Sequence, residues 1–298
     1  MFSGAFTALV TPFRNGEVDV EALESLVEFQ IENGIHGLVP CGTTGESPTL
    51  SESEDRLVIE TVVRISNGRA PIIAGTGSNN TESAIKYTKM AEDAGANGSL
   101  QVSPYYTKPT QEGLYRHFAT IAENTELPLV LYNIPGRTSV AIEPETIARL
   151  AEDVPNIVGV KEATLSTGIA GEIKRLCGDE FDVLSGDDPM TLPIMALGGS
   201  GVIGVTSNIA PGIFSDMVNA LMEGNFERGR NIHYQLLPLF KALFVQTNPI
   251  PVKTAASLLG LCSDEMRLPL VPMSGDALRD LEEALERHGH LLPTPEEV

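Results

Sequence analysis

Eight short apolar runs, each closing near Gly, Pro, Ser or Thr, alternate through residues 1–225 with longer segments of helical period. They read as strands at Ala5–Val10, Gly37–Pro40, Ile72–Ala74, Gly98–Val102, Leu129–Tyr132, Ile157–Lys161, Val183–Ser185 and Val202–Gly204. Helical candidates follow at Val20–Asn33, Ser51–Ser66, Thr81–Ala94, Gln111–Asn124, Pro144–Glu152, Gly168–Leu176, Pro189–Leu197 and Phe214–Glu223. Ser51-Glu52-Ser53-Glu54 has the form of a capping box, which fixes one helix start. A strand that returns parallel to its neighbour needs a long crossover, usually helical. The alternation therefore predicts an α/β fold, a (β/α)8 barrel, with a doubly wound sheet as the competing arrangement.

Beyond Gly224 the pattern becomes helix only, at Arg228–Val245, Pro251–Leu259 and Gly275–His288, punctuated by Pro249, Pro251, Pro269 and Pro272. The expected organisation is a catalytic barrel over 1–225 and a C-terminal helical domain over 226–298, ending in a mobile Pro-containing tail, Leu291–Val298. The chain has 298 residues, enough for a barrel with additions. Its 42% hydrophobic and 20% charged residues are those of a soluble globular chain, with no run as long as a membrane span. Met1–Phe6 lacks the basic and apolar regions of a signal peptide, so a cytoplasmic location is expected.

A formal charge of −20 argues against nucleic acid and anionic membranes as partners. It also repels anionic substrates at long range, so a carboxylate site must rest on a few local cations and backbone donors. The same excess of acid fits a surface adapted to high salt. Cys41, Cys177 and Cys262 are scattered, without metal-ligand spacing, and point to reduced thiols and no structural metal. Cys41 as a nucleophile would want a histidine close by. His36 stands five residues back along a strand, roughly 16 Å away, so Cys41 reads as a small buried thiol.

In a barrel of this kind active groups sit at the C-terminal ends of the strands, and the notable residues fall there. Lys161 closes Asn156-Ile157-Val158-Gly159-Val160-Lys161, the one lysine ending an apolar run. An ammonium at the end of a buried strand loses hydration, which lowers its pKa and favours the neutral amine that attacks carbonyls. The plainer reading is a lysine paired with a carboxylate or reaching the surface. Gly42-Thr43-Thr44-Gly45 offers two hydroxyls and free backbone N–H groups to a small carboxylate, or is a polar turn. Tyr132 at a strand end needs a partner for its hydroxyl, which Thr43 could supply. Arg137, after a Pro-Gly turn, is either a clamp for a substrate carboxylate or a surface arginine. Glu162 faces away from Lys161 by strand alternation. Gly75-Thr76-Gly77 and Gly198-Gly199-Ser200-Gly201 read as turns rather than nucleotide sites.

In their order along the chain, Gly42-Thr43-Thr44-Gly45-Glu46, Gly75-Thr76-Gly77, Pro104-Tyr105-Tyr106, Tyr132-Asn133-Ile134-Pro135-Gly136-Arg137-Thr138, Val160-Lys161-Glu162-Ala163 and Asn248-Pro249-Ile250-Pro251-Val252-Lys253 resemble the dihydrodipicolinate synthase family. That family lies within the pyruvate-dependent class I aldolases that include N-acetylneuraminate lyase. The resemblance implies that Lys161 forms a Schiff base with pyruvate and that the enamine condenses with L-aspartate 4-semialdehyde to 4-hydroxy-tetrahydrodipicolinate, on the way to diaminopimelate and lysine. It implies a hydroxyl relay of Tyr132, Thr43 and Tyr106, the last reaching in from a neighbouring subunit, and hence a homotetramer built from tight dimers. Thr44 would hold the pyruvate carboxylate and Arg137 that of the semialdehyde, while Gly186 and Ile203 match pocket positions. No cofactor is implied. Where lysine-inhibited members carry two histidines and a glutamate, this chain has Glu52, Asp55 and Ser83, although Ser47, Asn79 and Tyr105 remain compatible with such a site, which puts feedback inhibition in doubt. The remaining alternatives are a 2-keto-3-deoxy sugar-acid aldolase and a non-catalytic keto-acid-binding barrel.

Overall fold

In the computed structural model, which describes residues 1–293, the eight expected strands are present within two residues of their expected bounds. They are β1 (Gly4–Ala8), β2 (Gly37–Val39), β3 (Ile73–Gly75), β4 (Gly98–Val102), β5 (Leu129–Asn133), β6 (Ile157–Glu162), β7 (Asp182–Ser185) and β8 (Gly201–Gly204). All neighbours pair in parallel, in the order β2-β1-β8-β7-β6-β5-β4-β3. A parallel bridge between Leu38 and Ile72 closes the ring, and Gly75 N–H donates to the Pro40 carbonyl at 2.9 Å across the same seam. The chain is a TIM barrel.

The strands are buried on both faces, which explains why they read as apolar runs rather than as alternation. Leu129, Leu131, Val160 and Val183 face outward into the layer of helices. Phe6, Leu100, Val130, Tyr132, Leu184 and Ile203 fill the interior, so the barrel is a packed core, not a pore. The helices over it are α1 (Val20–Glu32), α2 (Glu52–Ser66), α3 (Thr81–Asp93), α4 (Gln111–Ala122), α5 (Pro144–Asp153), α6 (Thr167–Cys177), α7 (Thr191–Ala196) and α8 (Pro211–Met222). The capping box forms as expected: Glu54 N–H donates to Ser51 Oγ and Ser51 N–H to the Glu54 carboxylate.

Residues 226–293 add α9 (Phe226–Ala242), α10 (Ile250–Leu258) and α11 (Gly275–Arg287). Their apolar faces join the core between barrel and helices, with Phe240 of α9 edge-on to Phe214 of α8 at 6.2 Å. Of the proposed mobile tail, Leu291 ends a short helical turn and is buried; residues 294–298 lie outside the described residues. Among the described residues, no helix is long and apolar enough to cross a membrane.

Candidate active site

At the C-terminal mouth of the strands a cavity of about 100 Å³ is lined by Thr43, Thr44, Tyr132, Arg137, Lys161 and Gly186, among others. It is small beside pockets for drug-sized ligands. The register explains why Lys161 and Tyr132 meet there: they are direct partners across β5 and β6, and partners in a parallel pair project to the same face. Both point inward, with the Lys161 ammonium 4.3 Å from the centroid of the Tyr132 ring. Gly186 allows the neighbouring strand to approach, because a Cβ there would meet Ala163 Cβ at 2.7 Å and Lys161 Cγ at 3.1 Å.

Burial sets the acid–base character of both groups. Lys161 is 6% exposed. Loss of hydration lowers its pKa to about 8; Asp188 pulls it up and Arg137 pushes it further down. The amine is thus partly neutral near neutral pH. Tyr132 moves the other way, pushed up to about 12 by burial against the opposing influence of Arg137 and of the Thr43 hydroxyl. It keeps its proton and is a donor.

The Gly42–Glu46 loop is held tightly. Gly45, Glu46 and Ser47 N–H groups fold back onto Gly42 and Thr43 carbonyls, and Thr11 Oγ1 donates to the Gly45 carbonyl at 2.7 Å. Cys41 and Glu46 take left-handed backbone at φ 55 and 56, a conformation that a non-glycine residue holds only with support. Glu46 has that support from a fully buried ion pair with Lys253 at 2.6 Å. Gly75 passes so close that a Cβ would lie 2.2 Å from the Cys41 carbonyl. Cys41 is a buried thiol whose pKa burial raises well above its usual value, as the sequence reading expected of an inert cysteine.

Arg137 stands on a short helical turn, Pro135–Thr138, and its Nη2 donates to the Asn248 carbonyl at 3.0 Å. Asn248 in turn donates through Nδ2 to Thr44 Oγ1 at 3.0 Å. One buried asparagine, in the turn before α10, therefore ties together the two groups read as carboxylate binders. Sequence reasoning quoted the Asn248 segment for the resemblance but gave Asn248 no role. It also passed over Asp188, whose only local signal is the strand-ending Gly186-Asp187-Asp188-Pro189.

Two expected site residues stand elsewhere. Ile203 is fully buried inside the barrel, packed among residues that include Leu184 and Tyr132, without lining the cavity. Tyr106 is 88% exposed with φ 72 and is not among the residues that line the cavity around Lys161. Glu162 turns outward as alternation required, accepting from Asn133 Nδ2 at 3.0 Å and Thr164 N–H at 2.7 Å. A second cavity of about 450 Å³ adjoins the first and shares Thr43 and Arg137 with it. Ser47, Ser83 and Tyr105 line it, and so does Asp55, whose carboxyl is raised to about 7 by burial. Glu52 instead pairs with Lys86 at 2.5 Å.

Comparison with known proteins accords with this geometry. The model of the dihydrodipicolinate synthetase family matches residues 1–288. The 4-hydroxy-tetrahydrodipicolinate synthase of Thermodesulfovibrio yellowstonii is 54% identical over 289 residues, 97% of this chain and 99% of that protein. That of Citrifermentans bemidjiense is 56% identical over 273 residues, 92% and 94% of the two chains. The crystal structure of dihydrodipicolinate synthase from Aquifex aeolicus superposes with a TM-score of 0.96 at 49% identity, covering 98% of this chain and 100% of that one. The chain therefore belongs to the dihydrodipicolinate synthetase family.

Proposed function

We propose that the protein is a 4-hydroxy-tetrahydrodipicolinate synthase, a Schiff-base-forming lyase that condenses pyruvate with L-aspartate 4-semialdehyde in the diaminopimelate route to lysine. The observation that carries the reading is Lys161: a lysine buried in a small polar cavity, its pKa lowered to about 8, beside a tyrosine that keeps its proton. At pH 7 roughly one Lys161 in ten carries a free lone pair, against fewer than one in a thousand for an ordinary lysine.

That lone pair forms a bond to the pyruvate ketone carbon. The ketone oxygen takes up protons and leaves as water, giving an iminium; Tyr132, with Thr43 behind it, supplies a proton to the departing oxygen. The iminium acidifies the methyl group, and loss of a methyl proton gives an enamine. Its carbon attacks the semialdehyde carbonyl, whose oxygen becomes the product hydroxyl. The substrate amine then bonds to the iminium carbon and releases the Lys161 amine, closing the ring. The Thr44 hydroxyl and loop N–H groups hold the pyruvate carboxylate, and Arg137 that of the semialdehyde. Gly186 gives the adduct room and Ile203 packs beneath it. Tyr106, solvent-facing in its own chain, completes the relay of a neighbouring subunit in a homotetramer of tight dimers.

The test is a direct assay of purified protein with pyruvate and either L-aspartate 4-semialdehyde or, in the cleavage direction, 2-keto-3-deoxygluconate. Faster cleavage of the sugar acid than condensation of the semialdehyde overturns the reading in favour of an aldolase; no pyruvate adduct on Lys161 after borohydride overturns it altogether. Arg137→Ala should raise the requirement for the semialdehyde, by about 1.5–3 kcal/mol of binding for a lost charge-assisted pair, and leave pyruvate trapping nearly intact. A loss confined to pyruvate would reassign Arg137.

A further inference from the structure

Asp188, which follows β7 at the start of a short helical turn, is 1% exposed. Its carboxylate is met only by donors: Val205 N–H at 3.0 Å, Thr206 N–H at 2.8 Å and Thr206 Oγ1 at 2.5 Å. No ion pair to it occurs among the described residues. The two backbone N–H groups and the Thr206 hydroxyl favour its anionic form, and burial opposes them by raising the carboxyl above its usual range. They also bind the turn after β7 to the end of β8, at Val205, a residue that lines the cavity. A buried anion without an adjoining cation is expensive to keep. A structural clasp between two strand ends could be built from neutral groups.

The charges around Lys161 define what this anion faces. Tyr132 on β5 is neutral below about pH 12. Arg137, on the turn after β5, is positive and disfavours a second cation. Glu162 points outward into Asn133 and Thr164. Asp187, next to Asp188, is held up to about 6 by burial and by the Asp188 charge. Asp188 is the acidic group whose field favours the Lys161 cation, and Lys161 is the cation whose field favours the Asp188 anion.

We propose that Asp188 is a positioning residue that acts as the fixed counter-charge of the Lys161 iminium. The inference rests on the Schiff-base reading of Lys161. When the neutral amine and the ketone combine with one proton to give iminium and water, a new positive charge appears at Nζ inside the barrel. Asp188, oriented in advance by three donors, offsets that charge without reorganising.

The chemistry gives the proposal a signature in pH. Below the amine's pKa the starting species is an ammonium, and ammonium plus ketone gives iminium plus water with no change of charge. Asp188 then stabilises both sides alike. Above the pKa the amine starts neutral, the cation is created on forming the adduct, and Asp188 favours only the product.

The experiment measures the apparent affinity for pyruvate, from the fraction of adduct trapped by cyanoborohydride and read by mass spectrometry, at pH 6 and pH 9, in wild type and Asp188→Asn. Loss of one nearby charge should lower the midpoint of the amine's titration by about one pH unit. Relative to its own effect at pH 6, the substitution should weaken adduct formation at pH 9 by about tenfold. Thr206→Val loosens the same junction but retains the charge, and should show no such difference between the two pH values. Asp188→Ser, neutral and smaller, replaces Asp188→Asn if the asparagine variant does not fold. Equal effects at pH 6 and pH 9, or a difference of the same size in Thr206→Val, overturn the proposal and leave Asp188 a clasp. A wild type that forms no adduct overturns the Schiff-base reading itself.

Discussion

The free energy that makes Lys161 reactive is taken from the stability of the fold. A buried lysine with its pKa lowered to about 8 is harder to protonate in the folded chain than in the unfolded one. The unfolded chain therefore binds more protons between about pH 8 and the ordinary lysine range, and stability rises with pH through that window. The penalty is fully present below pH 8. Lys161→Met, which fills similar space without a charge, should abolish adduct formation and stabilise the protein at pH 7 by about 1–3 kcal/mol. The gain should vanish above roughly pH 10.5. Urea unfolding at pH 7 and pH 10.5 checks both; a variant less stable than wild type at pH 7 would mean that Lys161 is anchored by attractions stronger than its desolvation. At this scale Lys161, Tyr132, Thr43, Thr44 and Arg137 were legible in the sequence because each ends a strand or sits in the loop just after one. Asn248 and Asp188 were not, because their significance lies in hydrogen bonds to residues far along the chain.

Among the elements, the eight strands and their helices could be read because period and punctuation are local properties. Two small pieces were missed. A two-stranded ribbon, Phe13–Arg14 with Glu17–Val18, turns at Asn15-Gly16, both with positive φ. Asn-Gly is a strong hairpin signal, but flanking strands of two residues carry no alternation to reinforce it. The other is the helical turn that presents Arg137. The ribbon contributes to a charged junction between the Gly42–Glu46 loop and the C-terminal helices, where Lys253 and Arg267 both lie over the Phe13 ring at 4.1 and 4.3 Å. Glu46 and Lys253 there are wholly buried, so removing one partner strands the other's charge. Lys253→Met alone should destabilise by about 3–5 kcal/mol, while Lys253→Met combined with Glu46→Gln should recover part of the loss. Unfolding of the two single variants and the pair measures this, and strict additivity would deny the coupling. Arg267 also pairs with Glu54 and holds its carboxyl down at about 2. That contribution is present above the ordinary carboxylate range and disappears as pH falls towards 2. Glu54→Gln should thus destabilise at pH 7 and match wild type near pH 2; an equal deficit at both would make the pair irrelevant to acid unfolding.

For the whole molecule, the net charge of −20 says nothing of the fold but bears on assembly, because like-charged subunits repel until salt screens them. Tyr106 is where the proposed assembly and the proposed catalysis would meet. It is a large phenol, 88% exposed in a left-handed backbone, and it does not line the cavity of its own chain. If it completes the relay of a neighbour, each site combines its own Tyr132 with the partner's Tyr106. Tyr106→Phe and Tyr132→Phe chains should each have lost most turnover, since a general acid–base group contributes on the order of 10²–10⁴-fold. Mixed, they should form hybrids in which one site regains both tyrosines: the site of the Tyr106→Phe chain keeps its own Tyr132 and receives an intact Tyr106 from the other chain. The second site lacks both, so a complete population of hybrid dimers should recover about half of the wild-type activity per chain. Differently tagged chains, resolved by native mass spectrometry, establish how many hybrids have formed, and low salt, which leaves the like charges unscreened, should speed the dissociation that exchange requires. Hybrids present in quantity but no more active than either parent would place Tyr106 outside the neighbour's site, and the exposed phenol would then need another explanation.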